Sequence, residues 1–149
     1  MTQTVDGLVY SGWRRGRGPR GWRFGWTATE AASIAEVPLR TVQQWARDGV
    51  VNPGFYDPTI GVTKWVYCAW DAFVLRLAHH LSTVERLPRV PLSQVAWELQ
   101  HPVCEYSGEV IVRRLEDLNE ADPVLVVPTA TRTVELSLAG MAREVLGRT

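Results

Sequence analysis

The run from Trp26 to Val51 constrains this chain more than any other stretch, because its breakers and apolar spacings spell two short helices joined by a tight turn. Thr29 is placed to cap the first helix, and Glu30, Ala31, Ala32 and Ala35 favour helix. Ala31, Ala32 and Ala35 also form a face small enough for a second helix to cross closely. Val37 and Pro38 end that helix and open the next, since proline at a first helical position gives up only an N–H that has no intrahelical partner. In the second helix, residues 39–48, Val42 and Trp45 turn back toward the alanine face, while Arg40, Thr41, Gln43, Gln44 and Arg47 face outward. Gly49 supplies the left-handed residue that stops it. This is the pattern of a helix-turn-helix with a polar recognition helix, and it implies double-stranded DNA as partner. Gln is suited to adenine and Arg to guanine in the major groove.

The rest of the chain sets limits on that reading. With 149 residues and 46% hydrophobic content, it can bury one core. No apolar run approaches the roughly 20 residues that span a bilayer, and the first residues lack a signal peptide's apolar stretch, so the expectation is a soluble cytoplasmic protein with no membrane partner. Cys68 and Cys104 stand far apart without CxxC spacing or a Cys/His cluster, which argues against zinc and against a disulfide framework. His79-His80, with His101, Asp71 and Cys104, is the nearest approach to a metal or nucleophile constellation. Adjacent residues on a helix point about 100° apart, so the pair does not readily ligate one ion. HExxH, GxSxG, P-loop and Rossmann fingerprints are absent. The chain therefore reads as a non-enzyme with no catalytic residue, no metal site and no cofactor.

A formal net charge of zero conceals segregation. Up to Trp26 five arginines, Arg14, Arg15, Arg17, Arg20 and Arg23, face the single acid Asp6, whereas Thr27 onward carries eleven basic and fifteen acidic residues. Residues 1–25 thus form a basic, glycine-punctuated arm beside the helix pair, suited to phosphates or to a narrow minor groove.

After Gly49, the stretch Phe55 to Tyr67 has turn signals at Asp57-Pro58 and Gly61 between aromatic and β-branched residues, which predicts a hairpin wing with Lys64 placed for a phosphate. Apolar residues at 70, 73, 74, 77, 78 and 81 predict a helix that closes the core. Ser93 is expected to cap a shorter helix, 94–100.

The order of helix pair, Gly49-Val50-Val51-Asn52-Pro53 exit, aromatic wing and long helix resembles the MerR-like winged helix-turn-helix group over roughly Trp26 to Leu99. That resemblance implies a DNA-binding domain at 26–100, with contacts from Arg40, Thr41, Gln43, Gln44, Arg47 and Lys64. The family's turn glycine is Glu36 here, and the arginine that commonly follows the apolar residue of the second helix is Gln43, so that a phosphate anchor of the family is either missing or moved to Arg40 or Arg47. A narrower pattern, Tyr67 to Phe73, Val90 to Trp97, His101-Pro102-Val103 and a turn at Ser107-Gly108, is similar to the DNA-binding half of VapB-type antitoxins.

In residues 101–149 the spacing predicts a hairpin around Ser107-Gly108, a strand at Val124 to Val127, and a helix from Thr133 to Leu146 with an apolar face. The expected fold is α+β, mainly helical: a winged helix-turn-helix with a C-terminal hairpin, strand and helix extension. Pairing through the last helix or the Trp70 helix makes a homodimer the expected state, as palindromic half-sites require. The functional expectation is a repressor-like, sequence-specific transcriptional regulator. The alternative is an antitoxin-type module whose acidic C-terminal region neutralises a protein partner.

Overall fold

The computed structural model describes residues 4–5, 8–10, 24–51, 55–56, 65–100, 105–106, 109–110 and 115–148. Three short strands come first, β1 (Thr4–Val5), β2 (Leu8–Tyr10) and β3 (Phe24–Trp26). The helix pair follows as α1 (Ala28–Ala35) and α2 (Leu39–Asp48), then β4 (Phe55–Tyr56) and β5 (Trp65–Cys68). Next come the long α3 (Ala69–Thr83) and α4 (Arg89–Gln100), and the small hairpin β6 (Glu105–Tyr106) and β7 (Glu109–Val110). The chain continues through α5 (Leu115–Ala121), a second hairpin of β8 (Val124–Pro128) and β9 (Thr133–Ser137), and α6 (Leu138–Arg148). The fold is α+β, and mainly helical.

The cap of α1 is Thr27, not Thr29. Thr27 Oγ1 accepts the Glu30 N–H and Glu30 Oε1 accepts the Thr27 N–H, a capping box that Thr29 has no means to form because its third residue on is Ala32. At the other end Glu36 takes φ 56° and ψ 43°, and the Val37 N–H reaches back to the Ala32 carbonyl, closing a Schellman turn without glycine. Pro38 stands one residue before α2 rather than as its first residue, and its carbonyl accepts the Thr41 and Val42 N–H groups. Gly49, at φ 76°, ends α2 as the sequence predicts.

Ala31, Ala32 and Ala35 are buried, and the small face they make lets α1 pack against α2, α3 and α6. Helix α3 is buried around most of its circumference. Trp70, Asp71, Ala72, Phe73, Val74, Leu75, Leu77, Ala78 and Leu81 are all buried, which marks a central helix rather than a surface one. The Trp70 indole N–H donates to the Leu99 carbonyl at 2.9 Å and ties the start of α3 to the end of α4.

Strand order in the larger sheet is β1-β2-β4-β5-β3, all antiparallel, with Phe55 opposite Val66 and Tyr56 opposite Trp65. Two stretches of the hairpin predicted at 55–67 are therefore paired as β4 and β5, and the predicted turns at Asp57-Pro58 and Gly61 lie outside the described residues. Both ends of the basic arm are strands of the same sheet, which its glycine-rich sequence did not suggest. On either side of Ser107-Gly108, which lie outside the described residues, β6 and β7 are likewise paired, with Glu105 opposite Val110.

Two boundaries differ from expectation. Helix α4 begins at Arg89, so Ser93 lies inside it and caps nothing. Thr133 to Ser137 is strand rather than helix, paired along its whole length with β8 from Val124 opposite Ser137 to Pro128 opposite Thr133. Its burial alternates, with Val134 inside and Thr133 and Glu135 outside. Helix α6 starts only at Leu138, whose N–H donates to the Pro123 carbonyl.

Val127, Val134, Leu138, Ala142 and Val145 join the same buried cluster as Ala31, Val42, Phe73 and Leu77, so the C-terminal residues complete the core on which the helix pair rests. Among the described residues no helix is long and apolar enough to cross a membrane.

Candidate nucleic-acid interface

Helix α2 presents its surface because Val42 and Trp45 anchor the opposite side in the core. Arg40, Gln43, Gln44 and Arg47 are exposed, whereas Thr41 is half-buried. Positions 40, 43, 44 and 47 recur at three and four residues and so share one face. At 1.5 Å per residue the row is about 10 Å long, the span of about three base pairs stacked 3.4 Å apart.

Two of these side chains are already engaged. Gln44 Nε2 donates to Asp48 Oδ2 at 2.7 Å, and Gln44 Oε1 accepts from Arg47 Nη2 at 2.9 Å. Asp48 also meets Arg89 Nη2 at 2.6 Å, so a chain Arg47, Gln44, Asp48, Arg89 runs from the outer face of α2 to the first residue of α4. The hydrogen bond from Gln44, then that from Arg89, holds the Asp48 carboxyl below the ordinary aspartate range. An acid at a helix C-terminus opposes the macrodipole, and these partners offset that cost. Among the described residues neither Arg40 nor Gln43 has a side-chain partner, which leaves both available to a ligand without breaking a bond.

The turn that sets the angle between α1 and α2 is clamped by charge. Glu36 Oε1 lies 2.9 Å from Arg148 Nη2 and its Oε2 lies 3.5 Å from Arg76 Nη1. Arg148 Nη1 also donates to the Ile34 carbonyl, and Arg76 Nη2 pairs with Glu144. The helix pair is thus held from below by α3 and from behind by α6.

Lys64 and the five arginines Arg14, Arg15, Arg17, Arg20 and Arg23 lie outside the described residues. The structure brings Arg40, Gln43, Gln44 and Arg47 together as the sequence predicts, with Thr41 at the edge. Asp48 and Arg89 were not anticipated. Asp48 carries a signal in hindsight, four residues after Gln44 on the same face, but Arg89 comes from a separate helix and only the fold places it there. His79 and His80, set aside as catalytic candidates, sit half-buried side by side on α3. Burial, then the charges of Arg76 and His80, depresses the pKa of His79. No family model, no curated protein and no solved structure matches the chain.

Proposed function

We propose that this protein is a sequence-specific reader of double-stranded DNA that acts as a transcriptional regulator, with α1, α2, β4 and β5 used as a winged helix-turn-helix. The observation that carries the reading is the exposed row Arg40, Gln43, Gln44 and Arg47 on a helix whose other face is fixed by Val42 and Trp45. A helix of this kind fits a major groove about 12 Å wide, and Arg and Gln are the side chains that recognise guanine and adenine bidentately there. Arg40 and Gln43 read bases directly. Gln44 is oriented by Asp48 and Arg47 and either exchanges those bonds for base contacts or holds Arg47 toward a phosphate. The antiparallel β4 and β5 follow α2 within the same domain, as a wing requires, and the arginines of residues 14–23 add a sequence-independent attraction to phosphate.

The test is selection of short genomic fragments by the purified chain at two salt concentrations, with sequencing of what is retained. Recovery of one motif that persists at the higher salt supports the reading and gives the half-site spacing. Uniform retention that vanishes with salt, or none, overturns sequence-specific recognition.

A further inference from the structure

Helix α2 does not hold its exposed row alone. Asp48 Oδ2 accepts from Gln44 Nε2 at 2.7 Å and from Arg89 Nη2 at 2.6 Å, so one carboxylate oxygen joins the row to α4. On its other side, Gln44 Oε1 accepts from Arg47 Nη2 at 2.9 Å. These partners fix the direction of the amide. A carboxylate only accepts and a guanidinium only donates, so the Gln44 nitrogen must face Asp48 and its oxygen must face Arg47. Turning the amide by 180° would set oxygen against carboxylate and N–H against N–H. A glutamine without such partners is free to turn, because its last torsion is broad and roughly two-fold. Gln43, which has no side-chain partner among the described residues, is in that position.

While it holds Arg47, the Gln44 amide keeps one N–H and one oxygen lone pair in reserve, since a primary amide has two of each and the network uses one of each. That remaining pair is what a bidentate contact to adenine needs, an N–H for N7 and a lone pair for the N6 amino group. Across the major groove these two adenine atoms come in one order for A·T and in the opposite order for T·A. An amide of fixed direction matches only one of them. Resting on the DNA reading and extending it, we propose that Asp48 and Arg89 make Gln44 a reader of adenine on one defined strand, with Arg89 as a positioning residue that touches no base. Without Arg89, the Asp48 carboxylate sits at the negative end of the α2 dipole with only an exposed bond to Gln44, and the amide is released to turn.

The experiment takes the operator recovered by fragment selection and exchanges A·T for T·A one pair at a time. The pairs read by Gln44 and Gln43 are identified by the preference that Gln44→Ala, beyond its general loss of affinity, and Gln43→Ala each relax. At the Gln44 pair the exchange weakens binding of the parent about tenfold or more, and that of Asp48→Asn and Arg89→Gln about threefold or less. At the Gln43 pair the ratio is the same in all three chains. Each result is a ratio measured on one protein, so a loss of overall affinity does not enter it. In ¹H–¹⁵N spectra of the chain without DNA, the Gln44 side-chain amide stands apart from that of Gln43 and moves toward it in both variants. A penalty at the Gln44 pair that stays near tenfold in either variant, an equal fall at the Gln43 pair, or a parent Gln44 amide coincident with that of Gln43 overturns the assignment and leaves the DNA reading standing. Recovery of no motif overturns the DNA reading and the assignment with it.

Discussion

Glu36 carries φ 56° at a turn where glycine is the usual occupant, and a residue with a Cβ adopts that region at a cost of roughly 1 kcal/mol. What glycine lacks is a carboxylate within reach of two other helices. Arg148 at 2.9 Å and Arg76 at 3.5 Å offset the strain, although the Glu36 side chain is 57% exposed and each pair is worth only about 0.2–1 kcal/mol. Two substitutions separate the contributions. Glu36→Ala keeps the strain and loses the pairs, so stability falls by about 1 kcal/mol, whereas Glu36→Gly loses the pairs and the strain together and stays within about 0.5 kcal/mol of the parent. Urea denaturation of both variants checks this, and an equal loss in the two would show that strain has no part in the balance. Gln43 and Gln44 differ in the same residue-scale way. Gln43→Ala is expected to cost about 1–3 kcal/mol at one base pair and relax preference there. Gln44→Ala also frees Arg47 and Asp48, and its effect spreads over sequence-independent affinity. Binding to single-base operator variants distinguishes the two.

At the scale of elements, α1, α2 and α3 were legible because each announces itself locally. Alanines at helical spacing, a proline before α2, Gly49 after it, and apolar residues at 73, 74, 77 and 81 are consequences of 3.6 residues per turn. Strand β9 was not, because Leu136 and Leu138 are as compatible with a helical stripe as with alternation. Pairing with the five residues Val124 to Pro128 decided it, with Val134 inward and the β-branched Thr133 outward. Strands β1 and β2 were hidden for a related reason, since two- and three-residue strands acquire their identity only from their partners, β1 from β2 and β2 from β4. The row on α2 was legible in full, but the Arg89 that neutralises Asp48 was not, being supplied by α4. Helix α3 also carries a pH response. Burial and neighbouring positive charge hold the folded His79 below its ordinary value of 6.5. Below pH 6.5 the unfolded chain accepts a proton at this residue that the folded chain refuses until the pH falls further. Its contribution to stability is therefore largest above pH 6.5 and declines as the pH drops from there toward the lower folded pKa. Urea midpoints at pH 7.5 and 5.5 should differ less for His79→Gln than for the parent, and an equal difference would assign the acid sensitivity to other groups.

For the whole molecule, the packing joins parts that the sequence presents separately. Arg148 donates to the Ile34 carbonyl from 114 residues away, and α6 spends Leu138, Ala139, Ala142 and Val145 on the chain's own core. With α3 buried as well, neither helix expected to offer a dimer surface keeps its apolar face outward. The basic arm is joined in the same way, because β1, β2 and β3 belong to the sheet that contains β4 and β5. Deleting the arm to test its charges would therefore remove strands along with arginines. Replacing Arg14, Arg15, Arg17, Arg20 and Arg23 by glutamine leaves the residues of all three strands in place and removes only charge. If those arginines neutralise phosphates, the slope of log affinity against log salt flattens by about 0.9 for each phosphate no longer neutralised, while the preferred motif stays the same. A motif that changes would give the arm a part in reading the minor groove. An unchanged slope would leave the whole electrostatic contribution to α2 and its neighbours, with Arg40 and Arg47 as the next residues to neutralise.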